Sequence, residues 1–175
     1  MPDYRRNWVA GGCYFFTVNL AWRNGNTLLV DRIDDLRLAV KRVKHRYPFT
    51  INGWVVLPEH MHFVITLPDG DHDYPTRIRL IKSAFSKKIN PTERISSSRI
   101  SQGERGIWQR RYWEHTIGDE LDYQRHMDYL HYNPVKHGYV KHVRDWPHST
   151  FLYLVGQGVY PRDWAGSDIS LEAGE

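Results

Sequence analysis

Two apolar segments in the middle of the chain constrain the fold more than any other feature. Residues 50–57 (TINGWVVL) and 61–67 (MHFVITL) carry the β-branched and aromatic residues that are typical of strands. The residues between the two segments are Pro58, Glu59 and His60. Because this connection is so short, the two strands should pair antiparallel as a hairpin. The fold should therefore contain an antiparallel sheet.

The segments on either side of this hairpin complete a mixed pattern of strands and helices. The expected strands cover 12–20 and 107–117, and the expected helices cover 35–46, 76–89 and 119–133. The last helix should stop before Pro134, and the Ser-, Arg- and Gly-rich stretch 92–106 should be a flexible loop. The order strand, helix, strand, strand, helix, strand, helix predicts the α+β class. It favours a ferredoxin-like (RRM-like) sandwich, with helices packed on one antiparallel sheet.

The length and the composition of the C-terminal part predict one domain with an ordered tail. A chain of 175 residues suits a single domain with a proper core. We assign residues 1–140 to that domain. Residues 141–175 include Trp146 and Trp164 and are too aromatic for a solvated coil. The tail is therefore expected to pack back on the domain, with residues 168–175 frayed at its end.

Charge and cysteine content limit the partners and the compartment. Lys and Arg together number 24 against 20 for Asp and Glu, a formal charge of +4 that favours a polyanionic partner. The single cysteine, Cys13, excludes an internal disulfide and a Cys-rich zinc module, and this indicates a reducing cytoplasm. The apolar run 13–21 is too short and too polar for a signal peptide or a membrane span. No membrane association is expected.

Two histidines at the start of the second hairpin strand form a candidate metal site. His60 and His62 are two residues apart, and because side chains alternate along a strand, both imidazoles point to the same face. Two imidazoles on a rigid strand make half of a metal site. The alternative is a pair of structural, hydrogen-bonded histidines. The apolar context favours ligands, since an unpartnered polar side chain is costly to bury there.

The last predicted helix adds a phenol and an amide. Tyr129 and Asn133 are four residues apart and share one helix face, beside a neighbouring stripe suited to the core. Combined with the histidine pair, these residues predict a divalent metal held by His60, His62 and the amide oxygen of Asn133, next to the Tyr129 hydroxyl. The alternative for Tyr129 is a packed tyrosine with a structural hydroxyl.

Such a site is suited to attack on a phosphodiester. A phenol with a pKa of about 10 is a poor nucleophile at neutral pH, and a metal on the non-bridging oxygens would neutralise the charge that develops at phosphorus. Attack would leave a phosphotyrosine and a free 3′ hydroxyl. The ligand set favours Mg²⁺ or Mn²⁺, although imidazole also binds Zn²⁺ well.

Aromatic and basic residues alternate just before this helix and near the N-terminus. This combination provides base stacking and phosphate neutralisation for a single nucleic-acid strand, whereas an ordinary amphipathic strand is the alternative. The expected DNA-binding residues are Arg5, Arg6, Lys82, Trp108, Arg110, Arg111 and Trp113.

Several blocks of sequence together resemble the single-tyrosine HUH transposases, and among them the REP-associated tyrosine transposases. The blocks run in order from residue 4 to about 166, which is nearly the whole chain. They are YRR, GGCYFFTVNL, WVVLPEHMHFVITLP, WQRRYWEH, DYLHYNPVKHG, RDWPHST and YPRDWAG.

The resemblance implies a substrate and a role for each site residue. His60 and His62 would be metal ligands, Tyr129 the nucleophile, and Asn133 the counterpart of a glutamine in related insertion-sequence enzymes. The substrate would be folded single-stranded REP hairpins, cleaved and rejoined by an enzyme at the bacterial nucleoid. A monomer is favoured, with a homodimer left open. Two other functions stay open: a non-catalytic nucleic-acid-binding module, and a metal phosphoesterase that uses activated water.

Overall fold

Four strands form one antiparallel sheet with the order β2-β3-β1-β4 in the computed structural model, which describes residues 6–93, 95–166 and 173. The strands are β1 (Cys13–Asn19), β2 (Thr50–Val56), β3 (His60–Thr66) and β4 (Trp113–Thr116). The predicted hairpin is confirmed, because β2 pairs antiparallel with β3 and places Val55 opposite His62. Strand β1 lies between β3 and β4 and pairs antiparallel with both.

Helices cover both faces of this sheet. They are α1 (Leu28–Asp31), α2 (Ile33–Arg46), α3 (Tyr74–Ser86), α4 (Ser97–Ser101), α5 (Glu120–Lys136) and α6 (Phe151–Gly156), with a 3-10 turn at Val143–Asp145. No helix within the described ranges is both long enough and apolar enough to cross a bilayer.

The strand period decides which face each core residue joins. Tyr14, Phe16 and Val18 point to one face, where they pack with the apolar sides of α2 and α3. Phe15 points to the other face and packs with Met127 and Leu130 of α5. Each fully buried side chain of this size contributes about 1.5–3 kcal/mol to stability. The α+β ferredoxin-like architecture is therefore confirmed, and α5 closes the face that carries the histidine pair.

Helix α5 extends past the proline at which it was expected to stop. Pro134 lies inside the helix, which ends at Lys136. Proline removes one backbone donor, but the amides that follow it are still bonded: His137 N donates to Asn133 O at 3.0 Å, and Tyr139 N donates to Pro134 O at 2.9 Å. The sequence rule overestimated the cost of a proline in the last turn. The extra residues place Lys136 and His137 beside the site.

The two segments before α5 differ from expectation. The expected strand 107–117 is shorter, and the expected loop 92–106 contains a short helix. Strand β4 begins at Trp113. Residues 107–109 meet the end of β1 and the two residues after it through an isolated bridge, Leu20 with Trp108, and single backbone bonds. The expected loop 92–106 contains α4, whose N-cap Ser96 accepts a hydrogen bond from the Arg99 amide. Arg105 forms an ion pair with Glu93 inside this loop and donates to the Ser86 and Ile89 carbonyl groups, which ties the loop to the end of α3.

The described part of the tail runs along the outer edge of β2. Val56 N donates to His148 O at 2.9 Å, and Trp54 N donates to the Thr150 hydroxyl at 2.9 Å. The Trp146 indole donates to Val56 O at 3.0 Å. These bonds cover backbone groups that an edge strand would otherwise leave exposed. Of the expected frayed end, residues 168–172, 174 and 175 lie outside the described residues, whereas Ala173 is buried in the cluster that contains Phe15 and Tyr129.

Candidate active site

The two histidines of β3 lie together on the sheet face that α5 covers. Strand pairing places His60 opposite Asn19 and His62 opposite Thr17. Both imidazoles are fully buried, and their ring centroids are 4.9 Å apart. The predicted common orientation of the pair is therefore present. Because the pair starts a central strand of the sheet, the backbone that carries it is held by pairing on both sides.

Each imidazole has one ring nitrogen fixed by a neighbour. His60 Nδ1 lies 2.8 Å from Glu59 Oε1, and His62 Nδ1 lies 2.8 Å from the Thr17 hydroxyl. A carboxylate only accepts hydrogen bonds, so His60 must carry its proton on Nδ1, and a neutral ring then has its lone pair on Nε2. That Nε2 atom is buried and has no hydrogen-bond partner among the described residues. Metal-binding histidines have this arrangement, and the site therefore fits a cation.

Glu59 is held in its charged form. Burial raises the pKa of its carboxyl group, but hydrogen bonds from His60 and Arg23 outweigh burial and lower the pKa to about 2. The Arg23 guanidinium lies 3.2 Å from the carboxylate, and the Tyr139 hydroxyl donates to it at 3.4 Å. An ionised Glu59 keeps the His60 ring in one tautomer and one orientation.

Helix α5 brings the phenol to the histidines. The Tyr129 ring centroid lies 5.5 Å from that of His62, and the His137 ring centroid lies 5.2 Å from that of His60. Asn133 lies midway between Tyr129 and His137 along the helix and is fully buried. Residues four apart on a helix share a face, so Asn133 faces the histidine pair from between its two neighbours. One chain thus brings the four residues of the predicted site together.

Lys136 contacts the Tyr129 phenol and was not among the residues expected at the site. Its ammonium nitrogen lies 3.2 Å from the Tyr129 oxygen and 4.8 Å from the centroid of the ring. The two residues are seven positions apart along α5, so both lie on one helix face. The heptad spacing could have indicated Lys136, but the helix was expected to stop before Pro134. Glu59 was missed as well, although it directly precedes His60.

The expected DNA-binding residues differ in how exposed their side chains are. Arg110 and Arg111 are exposed, and Arg110 pairs with Glu104 at 2.8 Å. Trp113 is half-buried and lies opposite Thr17, on the face of the histidine pair. Arg6 lies over the Tyr112 ring at 5.5 Å. Arg5 lies outside the described residues.

Two of the expected DNA-binding residues have structural contacts instead. Trp108 is only 5% exposed, packs edge-on against Phe85 and donates from its indole to Lys82 O at 3.2 Å. Its ring is in the core and presents no face to a base, which corrects the expectation. The Lys82 ammonium donates to Gln109 O at 2.7 Å, and burial lowers its pKa to about 8, helped by the charge of Arg99. Lys82 therefore anchors the basic segment rather than projecting into solvent.

A second group of metal-binding side chains lies on the same face of the sheet. His115, Asp122 and His126 each offer one ligand atom, and these atoms lie within 4.8 Å of one another. None of the three belongs to the predicted metal site of His60, His62 and Asn133. The described chain therefore carries two clusters suited to cations.

Comparisons with known proteins show which family the chain is similar to. Residues 17–133 match the family described as "Transposase IS200 like", a range that includes the histidine pair, Tyr129 and Asn133. The chain is 48% identical to the REP-associated tyrosine transposase of Escherichia coli (strain K12), over 100% of this chain and 98% of that protein.

A solved structure is also similar over its full length. It is the structure of a REP-associated tyrosine transposase bound to a REP hairpin, with 48% identity and a TM-score of 0.86, and it covers 100% of this chain and 98% of that one. The resemblance inferred from the sequence blocks is thereby confirmed. From the family match and the full-length similarity together, the chain belongs to the IS200-like transposases and, within them, to the REP-associated tyrosine transposases.

Proposed function

We propose that the protein cleaves single-stranded DNA at REP-type hairpins and rejoins it through a 5′-phosphotyrosine on Tyr129. The observation that carries this proposal is the contact between two elements. Strand β3 supplies the buried His60 and His62, and α5 brings the Tyr129 ring to within 5.5 Å of the His62 ring. The hairpin substrate is taken from the solved relative, which was bound to a REP hairpin.

His60, His62 and Asn133 would hold the metal, as Mg²⁺ or Mn²⁺. Two imidazoles and an amide oxygen leave coordination positions for water and for phosphate oxygens. When bound, the ion neutralises negative charge on the non-bridging oxygens of the scissile phosphate. Glu59 and Thr17 keep the two rings in place through their Nδ1 atoms, both at 2.8 Å.

The chemical step is a transesterification in which no bond energy is lost to water. The Tyr129 oxygen attacks phosphorus, a phosphorus–oxygen bond to Tyr129 forms, and the bond to the 3′ oxygen breaks. The phenol proton is released to water, and the 3′ oxygen gains a proton to become a hydroxyl. Lys136, 3.2 Å from the Tyr129 oxygen, stabilises negative charge on that oxygen during attack. A 3′ hydroxyl rejoins the strand by the reverse reaction.

The DNA strand would lie across the segment before α5. The exposed Arg110 and Arg111 would neutralise phosphates, and Trp113, half-buried on the histidine face, would stack on a base near the site. Arg5 and Arg6 would extend this surface. Lys82 holds the segment from beneath through the carbonyl groups of Gln109 and Arg110, at 2.7 and 3.5 Å.

One chain supplies all the residues of this site, which favours a monomer as the active unit. His62 and Tyr129 meet without a helix from a second copy. Because Tyr129 is only 2% exposed, the residues around it must move before a phosphodiester reaches its oxygen. Action on chromosomal hairpins would place the protein in the cytoplasm, at the nucleoid.

A gel assay with a labelled REP-like hairpin and Mn²⁺ tests the proposal. The wild-type protein should cleave the hairpin and form a covalent adduct that survives denaturation, and a chelator should abolish both. Tyr129→Phe should remove the adduct and the cleavage while hairpin binding stays within about twofold, because only the nucleophile is lost. The matched control is Tyr132→Phe, on the same helix, which should keep the adduct.

The two alternative functions predict different cleavage products and adducts in this gel assay. A non-catalytic binding module would show no cleavage in any lane, although the hairpin would still bind. A metal phosphoesterase that uses water would cleave without a covalent adduct and would continue to cleave as Tyr129→Phe. Either result would overturn the role proposed for Tyr129.

A further inference from the structure

The cluster of His115, Asp122 and His126 is separate from the candidate active site. His115 belongs to β4, whereas Asp122 and His126 lie in the first two turns of α5. The Phe15 ring stands between the two sites, with its centroid 4.9 Å from the His126 ring and 5.4 Å from the His62 ring. An ion at this cluster would therefore not be shared with His60 and His62.

The three side chains are already arranged around one point. His115 Nε2 lies 2.8 Å from Asp122 Oδ2, and His126 Nδ1 lies 3.0 Å from Asp122 Oδ1. The two imidazoles are stacked, with centroids 4.5 Å apart and planes at 14°. Around a tetrahedral ion with bonds of about 2.0–2.1 Å, ligand atoms are about 3.3 Å apart. Small rotations of the side chains would bring all three ligand atoms, now within 4.8 Å, to that spacing.

The charge states and the burial also suit a cation. Burial lowers the pKa of His126 and favours the neutral imidazole, whose Nδ1 proton, now shared with Asp122, would be released when an ion binds. Burial raises the pKa of Asp122, but the Gly118 amide and His115 outweigh this effect and lower it, so the group is a carboxylate. The His126 side chain is 5% exposed and the His115 side chain is 40% exposed. An ion can therefore enter from the His115 side and be held on the buried side.

The alternative to a metal site is a set of hydrogen bonds that only joins β4 to α5. An ordinary His–Asp hydrogen bond elsewhere in the chain serves for comparison. His142 Nδ1 lies 3.1 Å from Asp145 Oδ2, with both side chains more than half exposed. The cluster differs because two stacked imidazoles share one carboxylate. The Gly118 amide also donates to Asp122 Oδ2 at 2.8 Å, which helps to hold the carboxylate in place.

We propose that His115, Asp122 and His126 form a second metal site, one that takes Zn²⁺ or a similar imidazole-binding divalent ion, with water in the remaining position. Two imidazoles and one carboxylate are ligands that zinc binds readily in proteins. The ion would tie β4 to α5 three residues before Tyr129. The role is structural, and the site stands whether or not Tyr129 is the nucleophile.

Zinc titration of the full chain tests the site directly. In a His60→Ala/His62→Ala background, which removes the first site, calorimetry should still show about one Zn²⁺ bound per chain. Adding His115→Gln or Asp122→Asn should weaken this binding by about a hundredfold or more, because one of three ligands is lost. A saturating excess of Zn²⁺ should raise the Tm of the background protein by about 5–10 °C.

His142→Gln is the matched control, because it removes a histidine from an exposed His–Asp pair with no second imidazole. It should leave zinc binding within twofold. If the background protein does not fold, the same comparison is made in the wild-type chain, where His115→Gln should lower the stoichiometry from about two Zn²⁺ to about one. Zinc binding that is absent from the background, or that His115→Gln leaves unchanged, would overturn the second site.

Discussion

At the scale of single residues, charge and tautomer are set by partners just outside the reacting groups. Glu59 fixes the His60 ring, Thr17 fixes the His62 ring, and Lys136 contacts the Tyr129 oxygen. None of these three residues forms a covalent bond to DNA in the proposed step. Each one determines the orientation or the charge of a group that does.

Replacing Lys136 with methionine tests whether its ammonium group assists attack by Tyr129. The substitution keeps much of the side-chain volume but removes the ammonium group that stabilises negative charge on the Tyr129 oxygen. Loss of one such charge-stabilising group costs about 10²–10³-fold in rate, so adduct formation in single-turnover assays should slow by about that factor. The hairpin Kd should change by less than threefold.

Lys141→Met is the control for a lost positive charge. Lys141 is exposed and lies beyond the end of α5, so its substitution should leave the rate of adduct formation unchanged. Slowing of equal size in both variants would mean that net charge, rather than contact with the phenol, is responsible.

At the scale of elements, the sequence was most informative where one period dominated. The hairpin of β2 and β3 followed from two strand-like segments with a short connection between them. The common face of His60 and His62 followed from strand alternation, and that of Tyr129 and Asn133 from helical spacing. The end of α5 did not, because the cost of Pro134 depends on whether the following amides find acceptors. Trp108 was also misjudged, since local composition does not reveal that its indole bonds to Lys82 O in the core.

The attachment of the tail to β2 depends on the hydroxyl of Thr150. Its oxygen accepts from Trp54 N and contacts His131 Nε2, both at 2.9 Å. Thr150→Val removes both bonds and leaves buried polar groups without partners, so the free energy of unfolding should fall by about 1–3 kcal/mol in urea titrations. Thr150→Ser retains the hydroxyl and should recover most of the loss. A change below about 0.5 kcal/mol in Thr150→Val would show that the tail does not depend on this hydroxyl.

At the scale of the whole molecule, the tail, β3 and α5 all pack against β2. This packing buries the imidazole of His131. The tail lies along the edge of β2, β3 lies on its other edge, and α5 packs on one face. His131 of α5 is enclosed by these elements and is fully buried, with its ring centroid 5.9 Å from that of Phe151 and 5.2 Å from that of Tyr160. The stability of the assembled fold should therefore depend on pH through this side chain.

Burial lowers the pKa of His131 from 6.5 to about 4, because the imidazolium form is not solvated in the core. Between these two values the unfolded chain binds a proton that the folded chain does not. The contribution to stability is therefore constant above about pH 6.5 and is lost as the pH falls toward 4, by at most about 1.4 kcal/mol per pH unit. From pH 7.5 to pH 5 the loss from this one residue should be about 2 kcal/mol.

Urea titrations of the wild type and of His131→Gln at a series of pH values between 5 and 7.5 isolate this contribution. Glutamine cannot gain a proton but can still donate to the Thr150 oxygen, so the variant should lose less stability on acidification than the wild type does. Other histidines titrate equally in both proteins and cancel in the difference. His45→Gln, at an exposed position of α2, should follow the wild-type curve. Parallel pH curves for His131→Gln and the wild type would mean that protonation of the core histidine does not limit the acid stability of the fold.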